Sequence, residues 1–123
     1  MPDLTTLYRP VGQRELDLIA AREFRAFPPR LPSQPIFYPV VSLEYAVQIA
    51  CEWNTRDSEN GSVGYVLRFQ IPSDYAARYP VRQVGDRIHS ELWVPAEDLP
   101  HFNAQIVGRI EVLNTFHAAA SAI

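Results

Sequence analysis

YVLRFQI, residues 65–71, is the stretch of this chain that most clearly indicates how it folds. Its residues alternate in a period of two, which is typical of a β-strand with one face toward the core. The inward-facing set is predicted to be Tyr65, Leu67, Phe69 and Ile71, and the outward-facing set Val66, Arg68 and Gln70. The fold is therefore expected to be built on strands.

Around this strand the pattern predicts two helices and several further strands. Residues 13–24 carry apolar side chains at helical spacing, and residues 43–53 form a second helix that Ser42 is placed to cap. The second helix is expected to bury Leu43, Ala46, Val47, Ala50 and Trp53. Further strands are predicted at residues 4–11, 36–41, 81–84, 88–94 and 107–113, with a short helical segment at residues 96–102.

Composition predicts one domain of the α+β class. The chain has 123 residues, of which 47% are hydrophobic and 20% charged, values typical of an ordinary globular domain. We expect a single domain over residues 1–114, mainly of antiparallel strands with two helices in its N-terminal half, and a flexible tail over residues 115–123. No apolar run reaches the length of a membrane span, so a cytoplasmic protein is expected.

Charge and cysteine content exclude several classes of function. The net charge is −3 and the eleven basic residues, all Arg, are scattered, which argues against an extensive nucleic-acid surface. A single cysteine, Cys51, cannot form an internal disulfide and is expected to be a buried thiol. His89, His101 and His117 lack metal-ligand spacing, so no metal site is expected.

The candidate site residue with the strongest signal is Glu91, in the segment IHSELWV of residues 88–94. Strand alternation places His89, Glu91 and Trp93 on one face and Leu92 and Val94 on the other. A face carrying a carboxylate, an imidazole and an indole is either a solvent-facing surface or the wall of a cleft. Trp93 on that face would then line the cleft or contact another protein, for example in a homodimer.

Three segments in this order resemble the ADP-ribosyltransferase fold. They are Tyr8-Arg9 in the first strand, Phe37-Tyr38 before the Ser42-capped helix, and His89-Ser90-Glu91 in a late strand. The segment IFYPVVSLEYAVQIA (residues 36–50) is similar to the middle element of that family. Most of the chain is also similar to small bacterial proteins with an ADP-ribosylation-related label, above all RAFPPRLPSQPIFYPV and ELWVPAEDLPHFNAQIVG.

The resemblance implies an enzyme that uses NAD as its substrate and breaks the bond between nicotinamide and ribose, as a transferase or a glycohydrolase. Glu91 would be the catalytic carboxylate, because positive charge develops on the ribose in the transition state. The implied dinucleotide-binding residues are Arg9 for a phosphate, Tyr38 for the nicotinamide ring, and Ser42 and His89 beside them. The acceptor is not specified by the resemblance.

A structural role stands beside each of these functional roles. Glu91 would be a surface carboxylate or an arginine partner, and Arg9 would pair with an acid across the sheet. Tyr38 would pack over the helix, and His89 would be a solvated strand residue. The corresponding function is a binding or interaction module on the same scaffold, without catalysis.

Overall fold

The strand predicted at residues 65–71 is longer than expected and lies in the middle of a three-stranded antiparallel sheet. In this computed structural model, which describes residues 3–83 and 89–117, β3 (Val63–Pro72) pairs on one side with β1 (Leu4–Val11). Its other side pairs with β7 (Glu111–His117), with a bulge between Val66 and Leu67. The β1–β3 register runs without a break from Leu4 opposite Pro72 to Val11 opposite Tyr65.

The remaining elements are short and connect this sheet to a second group of strands. Four helices occur within the described residues: α1 (Gln13–Ala20), α2 (Leu43–Glu52), α3 (Ser73–Ala76) and α4 (Leu99–Ala104). The other strands are β2 (Ile36–Phe37), β4 (Val81–Gln83), β5 (Ser90–Leu92) and β6 (Val94–Pro95). The described residues form an α+β fold with antiparallel strands, as predicted.

Residues 36–41 hold the two groups of strands together. Ile36 pairs with Pro95 and Phe37 with Val94, and the same register returns further on, where Val40 pairs with Glu91. Between these points Leu92 donates its backbone N–H to the carbonyl oxygen of Pro39. On its other side Val40 exchanges two backbone hydrogen bonds with Tyr8 of β1, at 2.8 and 2.9 Å. Residues 36–41 therefore lie between β1 and β5.

The sheet buries side chains on both faces. The main core lies on one face and contains Leu7, Ile19, Phe27, Phe37, Leu67, Phe69, Ile71, Leu92, Val94, Leu99 and Phe102. Helix α2 covers the other face, where Ala46 and Ala50 pack against Val40 and Val66. Val66 lies on the face opposite Leu67, as the predicted alternation requires, but it is buried and not solvent-facing because α2 covers that face of β3.

Helix α2 lies very close to β3. A side chain at Gly64 would place its first carbon 2.2 Å from the carbonyl oxygen of Ala50, a distance that no packing adjustment of side chains can relieve. Both elements therefore contribute small residues to the contact, Gly64 from the strand and Ala46 and Ala50 from the helix.

Both long helices differ from their predicted extent or burial. Helix α1 ends at Ala20 because Glu23 and Phe24 have positive φ angles of 59° and 58°, which turn the chain toward the proline-rich loop. Helix α2 begins after Ser42 as predicted, but Leu43 and Trp53 are exposed. Cys51 is also exposed, in contrast to the buried thiol expected. The buried stripe of α2 is narrow because it consists of Ala46 and Ala50, which pack against Val40 and Val66.

The last strands also differ from their predicted bounds. Strand β7 begins at Glu111 and runs to His117, three residues beyond the predicted domain boundary at residue 114. Ile110, which precedes the strand, is buried, whereas Val112 is exposed on this outer strand. Residues 118–123 of the predicted tail and residues 84–88, where the strands predicted at 81–84 and 88–94 adjoin, lie outside the described residues. Among the described residues, no helix is long and apolar enough to span a membrane.

The contact at Gly64 predicts a strong packing effect. Gly64→Ala should lower the free energy of unfolding by about 3 kcal/mol or more, because the added methyl group meets backbone. Gly108→Ala is the matched control: nothing lies within 4 Å of that position, and only its φ of +74° opposes the substitution. That strain costs about 1 kcal/mol. Urea unfolding followed by circular dichroism measures the free energy of unfolding of both variants. Equal losses of this free energy would contradict the close contact between Gly64 and Ala50.

Candidate functional site

A hollow open to solvent lies where residues 36–41 meet β1, β5 and α2. It encloses about 380 Å³. We call it the Glu91 hollow, and its lining consists of Arg9, Pro10, Tyr38, Val40, Ile49, Glu91 and Trp93. Three of the residues proposed from the sequence, Arg9, Tyr38 and Glu91, thus border one concavity although they are far apart in the chain, with the Arg9 side chain on the opposite face of β1.

The backbone register explains why the aromatic side chains and the carboxylate share a face. Val40 pairs with Glu91, so the same antiparallel register sets Tyr38 opposite Trp93. Residues two apart on a strand point to the same face, which puts Glu91 beside Trp93. The rings of Tyr38 and Trp93 meet edge to face with their centroids 5.8 Å apart. Leu92 and Val94, on the opposite face, are buried in the main core as predicted.

Glu91 is held by neutral donors from the walls of the hollow. The Tyr45 hydroxyl donates to Oε2 at 3.2 Å, and the Trp93 indole N–H donates to Oε1 at 3.0 Å. Among the described residues no salt bridge joins Glu91 to a basic side chain. Arg82 is opposite Glu91 on the neighbouring strand β4, and its guanidinium lies over the Trp93 ring, 5.2 Å from the centroid. Within residues 3–83 and 89–117 the carboxylate is therefore oriented by hydrogen bonds and not by an ion pair.

Tyr45 has an altered acidity because of this arrangement. Burial raises the pKa of the Tyr45 phenol above its usual value of 10.0, and the negative charge of Glu91 and the hydrogen bond to it raise the pKa further. All three effects favour the neutral phenol, which is the form that can donate to a carboxylate. Tyr45 therefore acts as a fixed hydrogen-bond donor at the edge of the hollow.

Arg9 is engaged in a structural ion pair. Its guanidinium forms a two-point contact with the carboxylate of Glu15 on α1, at 2.5 and 2.8 Å, and lies 4.6 Å from the centre of the Phe37 ring. The side chain is only 11% exposed. Alternation along β1 explains this position, because Arg9 shares its face with the buried Leu7 and Val11 and not with Tyr8. The alternative role of Arg9, which was to pair with an acid, therefore matches the geometry. The acid lies on helix α1, however, and not across the sheet.

Ser42 and His89 do not line the Glu91 hollow. Ser42 caps α2, where its hydroxyl oxygen accepts a hydrogen bond from the backbone N–H of Tyr45 at 3.1 Å. His89 lines a second hollow next to the first one. Its Nε2 lies 2.7 Å from the side-chain oxygen of Gln48, and its ring packs against the ring of Tyr45 with centroids 4.6 Å apart.

The second hollow, which we call the Trp53 hollow, encloses about 490 Å³ along the outer face of α2. It is lined by Tyr45, Gln48, Ile49, Glu52, Trp53 and His89. Ile49 belongs to both hollows, and the hydrogen bond from Tyr45 to Glu91 lies at their boundary. The two hollows therefore form adjoining parts of one groove.

Tyr45 and Trp53 are two of the groove residues that sequence reasoning missed. Tyr45 was not singled out, although it follows the cap of α2 by three positions and is thus on the first turn. Trp53 was assigned to the core because its spacing matches Ala46 and Ala50, yet it is 70% exposed. Helical spacing alone cannot tell whether such a side chain is buried or exposed, because a residue at the end of a helix can lie past the edge of the sheet on which the helix packs.

Comparison with known proteins adds no assignment: no family model, curated protein or solved structure matches this chain. Within residues 3–83 and 89–117 there is also no cluster of three or more histidine, cysteine or acidic side chains that could hold a metal ion. The groove is therefore the feature of this protein that indicates a function.

The ion pair between Arg9 and Glu15 predicts a large effect on stability. Arg9→Met or Glu15→Gln alone should each lower the free energy of unfolding by about 3 kcal/mol, because either change leaves a largely buried charge without its partner. The double variant should lose less than the sum of the two. Chemical denaturation of the four proteins gives the coupling.

The matched control for this cycle is the exposed pair between Arg68 and Glu111, whose side chains are 42% and 56% exposed. Solvent screens that pair, so its removal should change stability little. Equal coupling in the two cycles would show that Arg9 and Glu15 do not form the buried pair described.

The bond between Tyr45 and Glu91 predicts a change in tyrosine titration. Glu91→Gln should lower the pKa of one tyrosine, because it removes the negative charge that opposes ionisation of Tyr45. Absorbance at alkaline pH follows this ionisation. In the Tyr45→Phe background the same substitution should leave the remaining tyrosine titration unchanged. A shift that persists without Tyr45 would mean that another phenol faces Glu91.

Proposed function

We propose that the Glu91 hollow binds the nicotinamide end of NAD and that Glu91 is the catalytic carboxylate of an ADP-ribosyltransferase or NAD glycohydrolase. The observation that carries this proposal is a carboxylate without an ion pair among the described residues, held between two aromatic walls in a concavity. An ionised carboxylate that neutral donors orient keeps its charge available for a positively charged ligand.

The nicotinamide ring of NAD is a flat cation, and this chemistry fits the lining. Tyr38 and Trp93 supply aromatic surfaces, which attract cations to their faces. Glu91 supplies the negative charge next to them. Both aromatic residues are about one-third exposed, so part of their surface is open to a ligand beside Arg82, whose guanidinium lies over the Trp93 ring.

The same carboxylate would assist bond breaking. When the bond between C1′ of the ribose and the ring nitrogen breaks, its electron pair goes to the nicotinamide, which leaves as a neutral molecule. The ribose is left with a positive charge, and a carboxylate close to it stabilises that transition state. Water or another nucleophile then bonds to C1′ and loses a proton. Tyr45 and Trp93 act here as positioning residues, since they hold the two oxygens of Glu91.

The phosphates of the dinucleotide need a different partner from the one the sequence suggested. Arg9 is neutralised by Glu15, so its fork is not available as a full positive charge. Arg82 is the described cation next to the hollow, since it is exposed and lies over the Trp93 ring. We therefore assign the phosphate contact to Arg82, because the planar guanidinium of an arginine fits the geometry of a phosphate well.

A second candidate function is a non-catalytic binding module on this scaffold. The ion pair of Arg9 with Glu15 favours it, because it removes the cation that the resemblance uses for the dinucleotide. The exposed ring of Trp93 would then contact a partner protein or a second copy of the chain. This candidate predicts an oligomer or complex that depends on Trp93 and no effect of NAD.

NAD binding and cleavage test the proposed function. Millimolar NAD should raise the melting temperature, and nicotinamide should be released slowly. Glu91→Gln should slow this release by about 10²-fold or more, because the amide cannot stabilise the positive ribose. Chromatography of nicotinamide measures the rate, and circular dichroism confirms that the variant is folded.

Glu97→Gln is the matched control, because Glu97 is an exposed acid outside the hollow. Its rate should equal that of the unmodified protein. The enzymatic proposal fails if millimolar NAD leaves the melting temperature unchanged, or if the two variants release nicotinamide equally fast.

A further inference from the structure

A third hollow lies against the main core, between the loop that follows α1 and helix α4. It encloses about 180 Å³ and shares no described lining residue with the Glu91 hollow or the Trp53 hollow. We call it the Arg30 hollow. The lining that bears on a ligand consists of two arginines and four apolar residues: Arg22, Arg30, Phe27, Pro29, Leu99 and Pro100. The proposed function uses none of these residues.

The charge of the Arg30 hollow is positive. Its described lining contains no acidic residue, and neither Arg22 nor Arg30 forms a salt bridge within the described residues. Arg30 and Arg9 lie over the same Phe37 ring, with their guanidinium carbons 5.9 and 4.6 Å from its centre. The carboxylate of Glu15 is already in two-point contact with Arg9. An anion in this hollow would therefore meet positive charge that the protein leaves unpaired.

Arg30 lacks both a counter-charge and acceptors for part of its guanidinium. Burial lowers the pKa of Arg30, the positive charge of Arg9 lowers the pKa further, and the negative charge of Glu15 offsets this only in part. Its Nε donates to the carbonyl oxygen of Ile36 at 3.1 Å. The two terminal nitrogens have no partner within the described residues. A bound oxyanion would supply the missing charge and the missing acceptors.

The walls of the Arg30 hollow are fixed by the fold. The Asn103 side chain on α4 accepts a hydrogen bond from the backbone N–H of Phe27 at 2.9 Å and donates one to its carbonyl oxygen at 3.0 Å. Glu23 and Phe24, which follow Arg22, have φ angles of 59° and 58°, which residues other than glycine rarely adopt. Backbone strain of this kind is common at ligand sites that the surrounding structure holds in place.

We propose that the Arg30 hollow binds the phosphate group of a small phosphate monoester, whose organic part packs on the apolar walls. Such a phosphate carries a charge of about −1.5 to −2 at pH 7, which suits two guanidiniums better than a singly charged carboxylate does. The volume of about 180 Å³ is below the roughly 300–1,000 Å³ of pockets for drug-sized ligands, so the ligand is smaller than a dinucleotide.

Calorimetric titration with phenyl phosphate tests this inference. Phenyl phosphate should bind saturably at millimolar concentration or below. Inorganic phosphate, which lacks the apolar part, and benzyl alcohol, which lacks the charge, should each bind about tenfold more weakly. In nuclear magnetic resonance spectra, phenyl phosphate should shift the side-chain amide signals of Asn103, which lines the hollow.

Arg22→Gln is the main variant, because Arg22 is exposed and its replacement should leave the fold intact. It should weaken binding of phenyl phosphate about fivefold, as for a solvent-exposed ionic contact. Arg30→Gln should weaken it about tenfold, and circular dichroism checks that this variant is folded. Arg25→Gln is the matched control, since Arg25 is exposed in the same loop and does not line the hollow. Its affinity should equal that of the unmodified protein.

Three results would overturn the inference. The first is no binding of phenyl phosphate at millimolar concentration, and the second is an equal loss of affinity in Arg22→Gln and Arg25→Gln. The third is a loss in Arg82→Gln with Arg22→Gln unchanged, which would place the probe in the Glu91 hollow. Equal affinities for inorganic phosphate and phenyl phosphate would overturn the assignment to an organic ligand. The titration contains no NAD, so its result is independent of the proposed function.

Discussion

The antiparallel pairing of residues 36–41 with residues 90–95 is the constraint on which the rest of this structure depends. One register runs along both segments, from Ile36 opposite Pro95 to Val40 opposite Glu91. Pro39 lacks an N–H and interrupts the ladder, yet its carbonyl oxygen still accepts from Leu92. A shift of one residue would turn Glu91 and Trp93 into the main core and expose Leu92 and Val94, so burial on one face determines what the other face presents.

Helix α2 defines the groove because it can approach the sheet so closely. Gly64 admits the carbonyl oxygen of Ala50, and two alanines face the strands instead of larger side chains. The helix consequently packs closely on all three strands of the sheet, through Tyr8, Val66 and Phe116. Tyr45 and Trp53 reach the groove from the sides of this narrow contact, at opposite ends of the helix.

Charge is divided between the two faces of the sheet. On the face that carries the main core, Glu15 neutralises Arg9. A largely buried guanidinium needs such an ion pair, because an unpaired buried charge is strongly destabilising. The groove face keeps Glu91 and Glu52 without salt bridges among the described residues. Arg82 lies over the Trp93 ring at the edge of this face, so within the described residues the groove combines two acids with one exposed guanidinium. The two acids favour a cationic ligand.

The sequence by itself determined the elements whose pattern is local: the central strand, the cap of α2 by Ser42, and the faces of the strand that carries Glu91. It also determined the α+β class. Only the tertiary structure decided which residues meet, because pairing between distant segments leaves no periodic signal. Arg9 illustrates this, since its partner Glu15 depends on how α1 folds back on β1. For Trp53 the local pattern was misleading: helical spacing predicted a buried ring, but the residue lies past the edge of the sheet and its ring is exposed.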